Sequence, residues 1–269
     1  MNIVLAYCSP NKTTEKLSFV LQEKLSTLGY TVSLLDMAAP NAAKSSLLSE
    51  ADVLGIGSPV YQLRLASPAR RFLAAALPRL RTDATAFVYL TYGGISSGRA
   101  FENALRLLTV NHIGIAGALK VCAPHSFSDK LFPDDTVHRI VAEFCGLLHG
   151  RQFAAYPFAE AKKKLKCRLF LTKLVYPLAD AVGKLRHLPI RIDEGKCIAC
   201  GRCVRDCPAD AIHMDGKAVR SKTACVHCYR CAVVCPVKAI VCPLDKLEIM
   251  VRMNKKLLGC EQPQDEILL

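Results

Sequence analysis

Two cysteine runs, CIACGRCVRDCP from Cys197 to Pro208 and CVHCYRCAVVCP from Cys225 to Pro236, share the spacing C-x2-C-x2-C-x3-C-P. Three thiols on one tight loop can reach three corners of a cubane iron–sulfur cluster. The fourth has to arrive from elsewhere, and the proline after it turns the chain away. The runs repeat at an offset of 28 residues, which also aligns Arg202 with Arg230, Ala211 with Ala239 and Ile212 with Ile240. Two such halves read as one pseudo-symmetric module. Zinc sites fit less well, because they usually come as separated C-x2-C pairs. A disulfide knot would need an oxidising compartment.

The rest of the chain is large enough for a fold of its own. Its 269 residues are 51% hydrophobic, which allows one large domain or two smaller ones with a sizeable core. No uncharged apolar run reaches 18 residues, so no transmembrane helix is expected. The opening MNIVLAYCSPNK has no basic n-region and no small-residue cleavage site, and it reads as a buried strand rather than a signal peptide. Six of the 14 cysteines lie outside the runs (Cys8, Cys122, Cys145, Cys167, Cys242, Cys260), without framework spacing, as expected of a reduced cytoplasmic protein.

The net charge of +13 is uneven. Residues 151–191 carry ten Lys or Arg against two Asp or Glu, whereas residues 1–150 carry 14 against 11. The excess is therefore a local basic segment, KKKLKCRLFLTKLVYPLADAVGKLRHL, of amphipathic helical character. A solvated face on a docking helix is the expected reading. Peripheral contact with a membrane surface and attraction of an acidic redox partner are the rivals. Nothing matches a nucleic-acid-binding motif.

Before the basic segment, apolar runs alternate with helical periodicity. Strands are expected at residues 2–7, 30–35, 52–57, 84–91 and within 112–122. Helices are expected at about 13–28, 68–77, 101–108 and 136–148. Alternation of this kind predicts a doubly wound α/β fold, a five-stranded parallel sheet with helices on both faces. Ligands of such sheets sit beyond the carboxyl ends of the strands. Three loops, 8–14, 58–62 and 91–98, follow candidate strands.

These loops carry a resemblance to the flavodoxin-like family over roughly the first 150 residues. Ser9, Asn11, Lys12, Thr13 and Thr14 resemble its phosphate loop, a turn rich in hydroxyls and amides that opens a helix. Pro10 stands where the family usually has Gly, and it removes one N–H. The segment GSPVYQ, with Ser58, Pro59, Val60 and Tyr61, looks like the GSPVY segment of flavodoxin-like FMN reductases, and Tyr61 could stack on a flavin. Thr91, Tyr92, Gly93 and Gly94, in TYGGISSG, resemble the loop over the other flavin edge. The resemblance implies bound FMN. No G-x-G-x-x-G follows the first strand, which argues against a dinucleotide site there.

The cysteine runs resemble those of bacterial two-cluster ferredoxins, in which the fourth cysteine of each run ligates the other cluster. The resemblance implies two [4Fe-4S] clusters, one held by Cys197, Cys200, Cys203 and Cys235, the other by Cys225, Cys228, Cys231 and Cys207. Four parts are expected: a flavodoxin-like FMN-binding domain at 1–150, a basic helical connector at 151–191, a small α+β bicluster ferredoxin domain at 192–243, and a C-terminal helix (about 244–258) with a loose tail to 269. A hairpin turn is expected at Met214–Lys217, an exposed His227, and Cys242 as a small core residue. The whole chain resembles a family of anaerobe proteins that fuse these two halves. That resemblance implies electron transfer between the clusters and FMN. The alternatives are an FMN-dependent reductase fed by the clusters and a ferredoxin with a flavin-free docking domain. No catalytic acid–base or nucleophile constellation is visible.

Overall fold

The computed structural model describes residues 1–61, 63–125, 130–166, 189–207, 209–243 and 264–269, with Lys246, Ile249 and Lys256 as isolated helical residues. The later part of the basic connector and most of the expected C-terminal helix lie outside the described residues.

Five strands, β1 (Asn2–Tyr7), β2 (Thr31–Asp36), β3 (Val53–Tyr61), β5 (Thr85–Tyr92) and β6 (Gly114–Cys122), form a parallel sheet in the order β2-β1-β3-β5-β6. This is the flavodoxin-like order, which reverses direction between β1 and β3 and opens its ligand crevice there. The central strands are nearly continuous apolar runs because helices cover both faces. Helices α1 (Thr13–Thr27) and α5 (Asp135–Gly150) bury Leu17, Leu21, Val141 and Phe144 against Phe87 and Tyr89 on one face. The other face takes α2 (Ser46–Glu50), α3 (Ser67–Ala76) and α4 (Ala100–Val110), through Leu48, Phe72, Leu73 and Leu105.

Two features exceed the sequence expectation. The chain past β3 turns back as β4 (Arg64–Leu65), an antiparallel hairpin over the strand ends. The tail is ordered: β11 (Glu266–Ile267) pairs antiparallel with edge strand β6 at Lys120 and Leu119, and Leu269 is buried in the core. The expectation of a loose terminus failed because an edge strand leaves unpaired N–H and C=O groups that even two residues can satisfy. The opening of the connector is also part of this unit. Helix α6 (Phe158–Leu165) buries Ala161 and Leu165 in the same core, while Lys162, Lys163 and Lys164 face solvent.

The second unit is small. Strands β7 (Arg191–Ile192) and β10 (Ile240–Val241) pair with each other, β8 (Ile212–Asp215) and β9 (Lys217–Arg220) form a hairpin, and two short helices, α7 (Arg202–Arg205) and α8 (Arg230–Val234), follow the cysteine loops. The hairpin turns at Gly216, in the left-handed region at φ 62°, as expected at Met214–Lys217. The 28-residue repeat extends to the backbone. Left-handed residues recur in pairs at Ala199 and His227, Gly201 and Tyr229, and Asp210 and Lys238. Such conformations cost a residue with a Cβ roughly 1–2 kcal/mol, so five of them imply that the loop path is fixed by what the cysteines must reach.

Candidate cluster sites and the interdomain cleft

The cysteines gather in two sets that cross the repeat. Cys197, Cys200 and Cys203 share one pocket with Cys235, walled by Ile192, Ala218 and Ile240. Cys225, Cys228 and Cys231 share the other with Cys207, walled by Ile190, Ile212 and Tyr229. The crossing follows from the fold: each fourth cysteine ends the short helix after its own loop, and that helix points at the other half. Among the described residues, no three His, Cys, Asp or Glu side chains are placed to hold one metal ion. The thiols surround a space instead of converging on a point.

Backbone amides are aimed at the sulfurs. The N–H of Ala211 donates to Cys207 Sγ and that of Ala239 to Cys235 Sγ, each at 3.2 Å, again related by the repeat. Amides of Ala218 and Ala199 hold the Cys197 thiol below its ordinary pKa, with the Lys217 ammonium assisting. Burial pushes Cys228 up to about 11 and Cys231 to about 12. These two thiols are neutral at pH 7 unless a metal claims their protons, so the donor set suits a cluster that compensates thiolate charge. His227 is half-buried, not exposed as expected, with its ring centroid 6.3 Å from that of Tyr229.

The loops of the first unit are only partly assembled around a common space. Lys12, left-handed at φ 64°, caps α1, and the Ser9 hydroxyl accepts from the Glu15 N–H at 2.9 Å. Among the described residues, the amides of Thr13 and Thr14 take no acceptor, leaving two first-turn donors and a positive dipole end. Lys12 Nζ stands 3.0 Å from Glu15 Oε1. The Thr14 hydroxyl is buried and paired with Thr91 at 2.8 Å, so both are committed to joining α1 to β5. Tyr92, expected near a flavin ring, is turned away: its hydroxyl donates to Gln264 O at 2.7 Å. Asp265 Oδ1 accepts the adjacent Cys122 N–H at 2.7 Å. Ser58 is buried and holds the hairpin, donating to Pro59 O and accepting from Ala66 N. Val60 is half-buried in the hairpin, in register with Leu65. A side chain at Gly93 would collide with the His125 ring, and Gly94 is left-handed at φ 85°.

Tyr61 and Asn11 do come together. Asn11 Nδ2 donates to the Tyr61 hydroxyl at 3.2 Å, while Asn11 Oδ1 is buried without a partner. Burial pushes the Tyr61 hydroxyl well above its ordinary pKa, and the nearby Cys228 and Cys8 sulfurs add to the shift. The second cysteine set lies on the side of its unit that faces the strand ends of the first, where Cys207 and Cys8 line a common cleft.

A cleft of about 540 Å³ opens at this junction. The first unit contributes Ser9, Pro10, Lys12, Met37 and Phe72, and the second contributes Arg205, Asp206, Cys207 and Arg230. Arg71 Nη2 reaches Asp210 Oδ2 across it at 3.4 Å. Both partners are largely exposed, so the pair orients the units more than it stabilises them. No sequence motif points to this cleft, whose walls lie more than a hundred residues apart in the chain.

The family model described as a 4Fe-4S dicluster domain matches residues 190–242. No curated protein matches the chain. Among solved structures, rubredoxin:oxygen oxidoreductase from the anaerobe Desulfovibrio gigas is similar over 56% of this chain at 19% identity and a TM-score of 0.47, and the chain spans 36% of its length. A flavodoxin from the domain Archaea is similar over 56% of this chain and 99% of its own, at 13% identity and a TM-score of 0.47. Oxidised flavodoxin 1 from Bacillus cereus covers 56% and 98%, at 17% identity and a TM-score of 0.46. The chain joins an α/β unit of flavodoxin-like strand order to a segment that matches the 4Fe-4S dicluster family model. Among the described residues, no helix is long and apolar enough to cross a membrane.

Proposed function

We propose that the chain is an electron-transfer protein passing electrons between two [4Fe-4S] clusters and FMN bound at the strand ends of the first unit. The observation that carries this reading is the shared cleft, in which Cys207 of the second cysteine set lies with Cys8 and Ser9, just past the carboxyl end of β1, and which the Arg71–Asp210 pair spans at 3.4 Å. The strand order opens its crevice between β1 and β3. A ligand there and a cluster at Cys207 would border the same cleft.

The residues present suit FMN. Thr13 and Thr14 amides, the α1 dipole and Lys12 offer donors to a dianionic phosphate. The buried Asn11 Oδ1 has no donor, and a ribityl hydroxyl would supply one. When bound, FMN supplies two-electron capacity beside carriers that move one electron at a time. The chain's own part is to hold the units together, exclude water around Tyr61, and aim amides at the thiolates. The reading of a flavin-free docking domain draws on the same loop, since Ser9, Thr14 and Thr91 hydroxyls already have partners.

The test is composition and affinity under anaerobic conditions. FMN near one per chain and iron near eight per chain are expected of two cubanes and a flavin. Thr13→Glu puts a carboxylate where the phosphate would lie. It suits a helix N-terminus, so folding should be kept. FMN affinity should fall at least about tenfold, the equivalent of 1.4 kcal/mol, while that of riboflavin, which has no phosphate, is unchanged. Unaltered FMN affinity places the flavin elsewhere, and purified protein devoid of flavin supports the docking-domain reading.

A further inference from the structure

The two cluster sites face opposite ways. The second is turned inward: Cys207 lines the interdomain cleft with Cys8, Ser9 and Lys12. Of its apolar walls, Ile190, Ile212 and Tyr229 are buried and Val226, the repeat counterpart of Ile198, is half-buried. The first site does not border the cleft. Its mouth is apolar yet in water: Ile198 is 60% exposed, Met214 39% and Val237 37%, and Cys200 is exposed beside them. Val233, at 43%, sits on α8, which leads into Cys235. The repeat counterparts of Ile198 and Val237 are a half-buried Val226 and a buried Ala209, so exposure at the first mouth breaks a repeat that is otherwise kept in backbone detail. Exposed apolar clusters of this kind mark interaction surfaces.

Resting on the electron-transfer reading above, we infer that the Ile198–Met214–Val237 surface is the docking port for an acidic one-electron carrier protein, and that electrons run from it through the first cluster to the second and then inward. Charge selects the partner. Arg202 lines the site, Lys238 flanks it, Lys196 beside it is paired with Asp193 at 3.5 Å, and residues 192–243 carry eight Lys or Arg against five Asp or Glu. A positive field gathers a negatively charged partner from solution, and the apolar centre then fixes the short-range fit. The step is a single-electron exchange: the carrier is oxidised by one electron and the first cluster is reduced by one, with no bond made or broken.

The probe is an acidic [2Fe-2S] ferredoxin. Binding is measured by calorimetry between the two oxidised proteins, and transfer by stopped flow from the reduced ferredoxin. Ile198→Glu and, outside both cysteine runs, Met214→Glu on β8 place negative charge in the port. Variants are compared at equal iron content. Both should weaken binding and lower the second-order rate about tenfold or more, and added salt should lower the parent's rate. Phe19→Glu, at an equally exposed apolar residue on α1, should change neither. Cys235→Ser, which removes a ligand of the first cluster, should abolish transfer from the ferredoxin while reduced methyl viologen still reaches the second cluster. Binding and rate unmoved by both port variants, or moved equally by Phe19→Glu, overturn the port. Because calorimetry on oxidised proteins involves no transfer, it reads the port even if the flavin reading fails. That reading stands or falls separately, on whether flavin is reduced after methyl viologen has reduced the clusters.

Discussion

Cys207→Ser should remove the distant cluster and spare the adjacent one. Cys207 follows Cys203 by four residues, yet its thiol shares a pocket with Cys225, Cys228 and Cys231. Iron should fall from about eight to about four per chain, because a cubane needs four protein ligands and loss of one thiolate exposes it to solvent. The surviving cluster should be the one at Cys197, Cys200, Cys203 and Cys235. Cys235→Ser should give the mirror result. In the Cys207 variant the flavin should also lose its electron supply, since the missing cluster is the inner one. Paramagnetic resonance of the reduced variants, in which coupling between two reduced clusters disappears, separates the outcomes. If Cys207→Ser and Cys200→Ser lose the same cluster, each run serves its own site and the crossed arrangement is wrong.

Removal of residues 264–269 should lower stability by about 2–5 kcal/mol, the range for deleting a large buried aliphatic side chain. The tail carries Leu269 into the core, two ladder positions on β6, the Lys120–Glu266 ion pair at 2.6 Å, and the acceptors of Tyr92 and Cys122. For a domain of this size the loss corresponds to a fall in melting temperature on the order of 10 °C. Leu269→Ala should reproduce most of it, and Glu266→Ala little, because a half-exposed ion pair contributes at most about 1 kcal/mol. Melting followed by far-ultraviolet circular dichroism checks this. A truncated chain that melts with the parent would mean the tail merely rests on the sheet.

The parts of the molecule that sequence made legible are those whose physics is local. Strands such as Val53–Tyr61 and Thr85–Tyr92 are buried on both faces, so they read as unbroken apolar runs. Each cysteine loop must present three thiols from one turn, and that demand is written in its spacing. The grouping of Cys207 with the second run and Cys235 with the first is a matter of the pockets they line. What stayed hidden depends on side chains meeting across the chain. Thr14 looked like a phosphate ligand because hydroxyls at a helix start usually serve as caps or anion donors, but a hydroxyl 77 residues away captured it. Tyr92 belongs to the loop expected over a flavin edge, and only the return of Gln264 shows where its hydroxyl goes. Strand β11 has two residues, too short for any periodicity. The apolar ending Ile267-Leu268-Leu269 was the available signal, and an apolar chain end in an otherwise polar tail is reason to look for an open sheet edge. The cleft had no signal, because its residues belong to separate units and its apolar wall is ordinary in composition.

Internal electron transfer would cross the junction where Cys207, Cys8 and Ser9 line one cleft. Anaerobic stopped-flow absorbance, with the clusters reduced rapidly by methyl viologen and the flavin band followed at several protein concentrations, measures it directly. Fusion replaces diffusional encounter by a fixed effective concentration. Flavin reduction should therefore be first order, with one rate constant at every protein concentration, and it should be lost in Cys207→Ser. A rate that rises in proportion to protein concentration would contradict the account, because the two units would then exchange electrons only by meeting a second molecule.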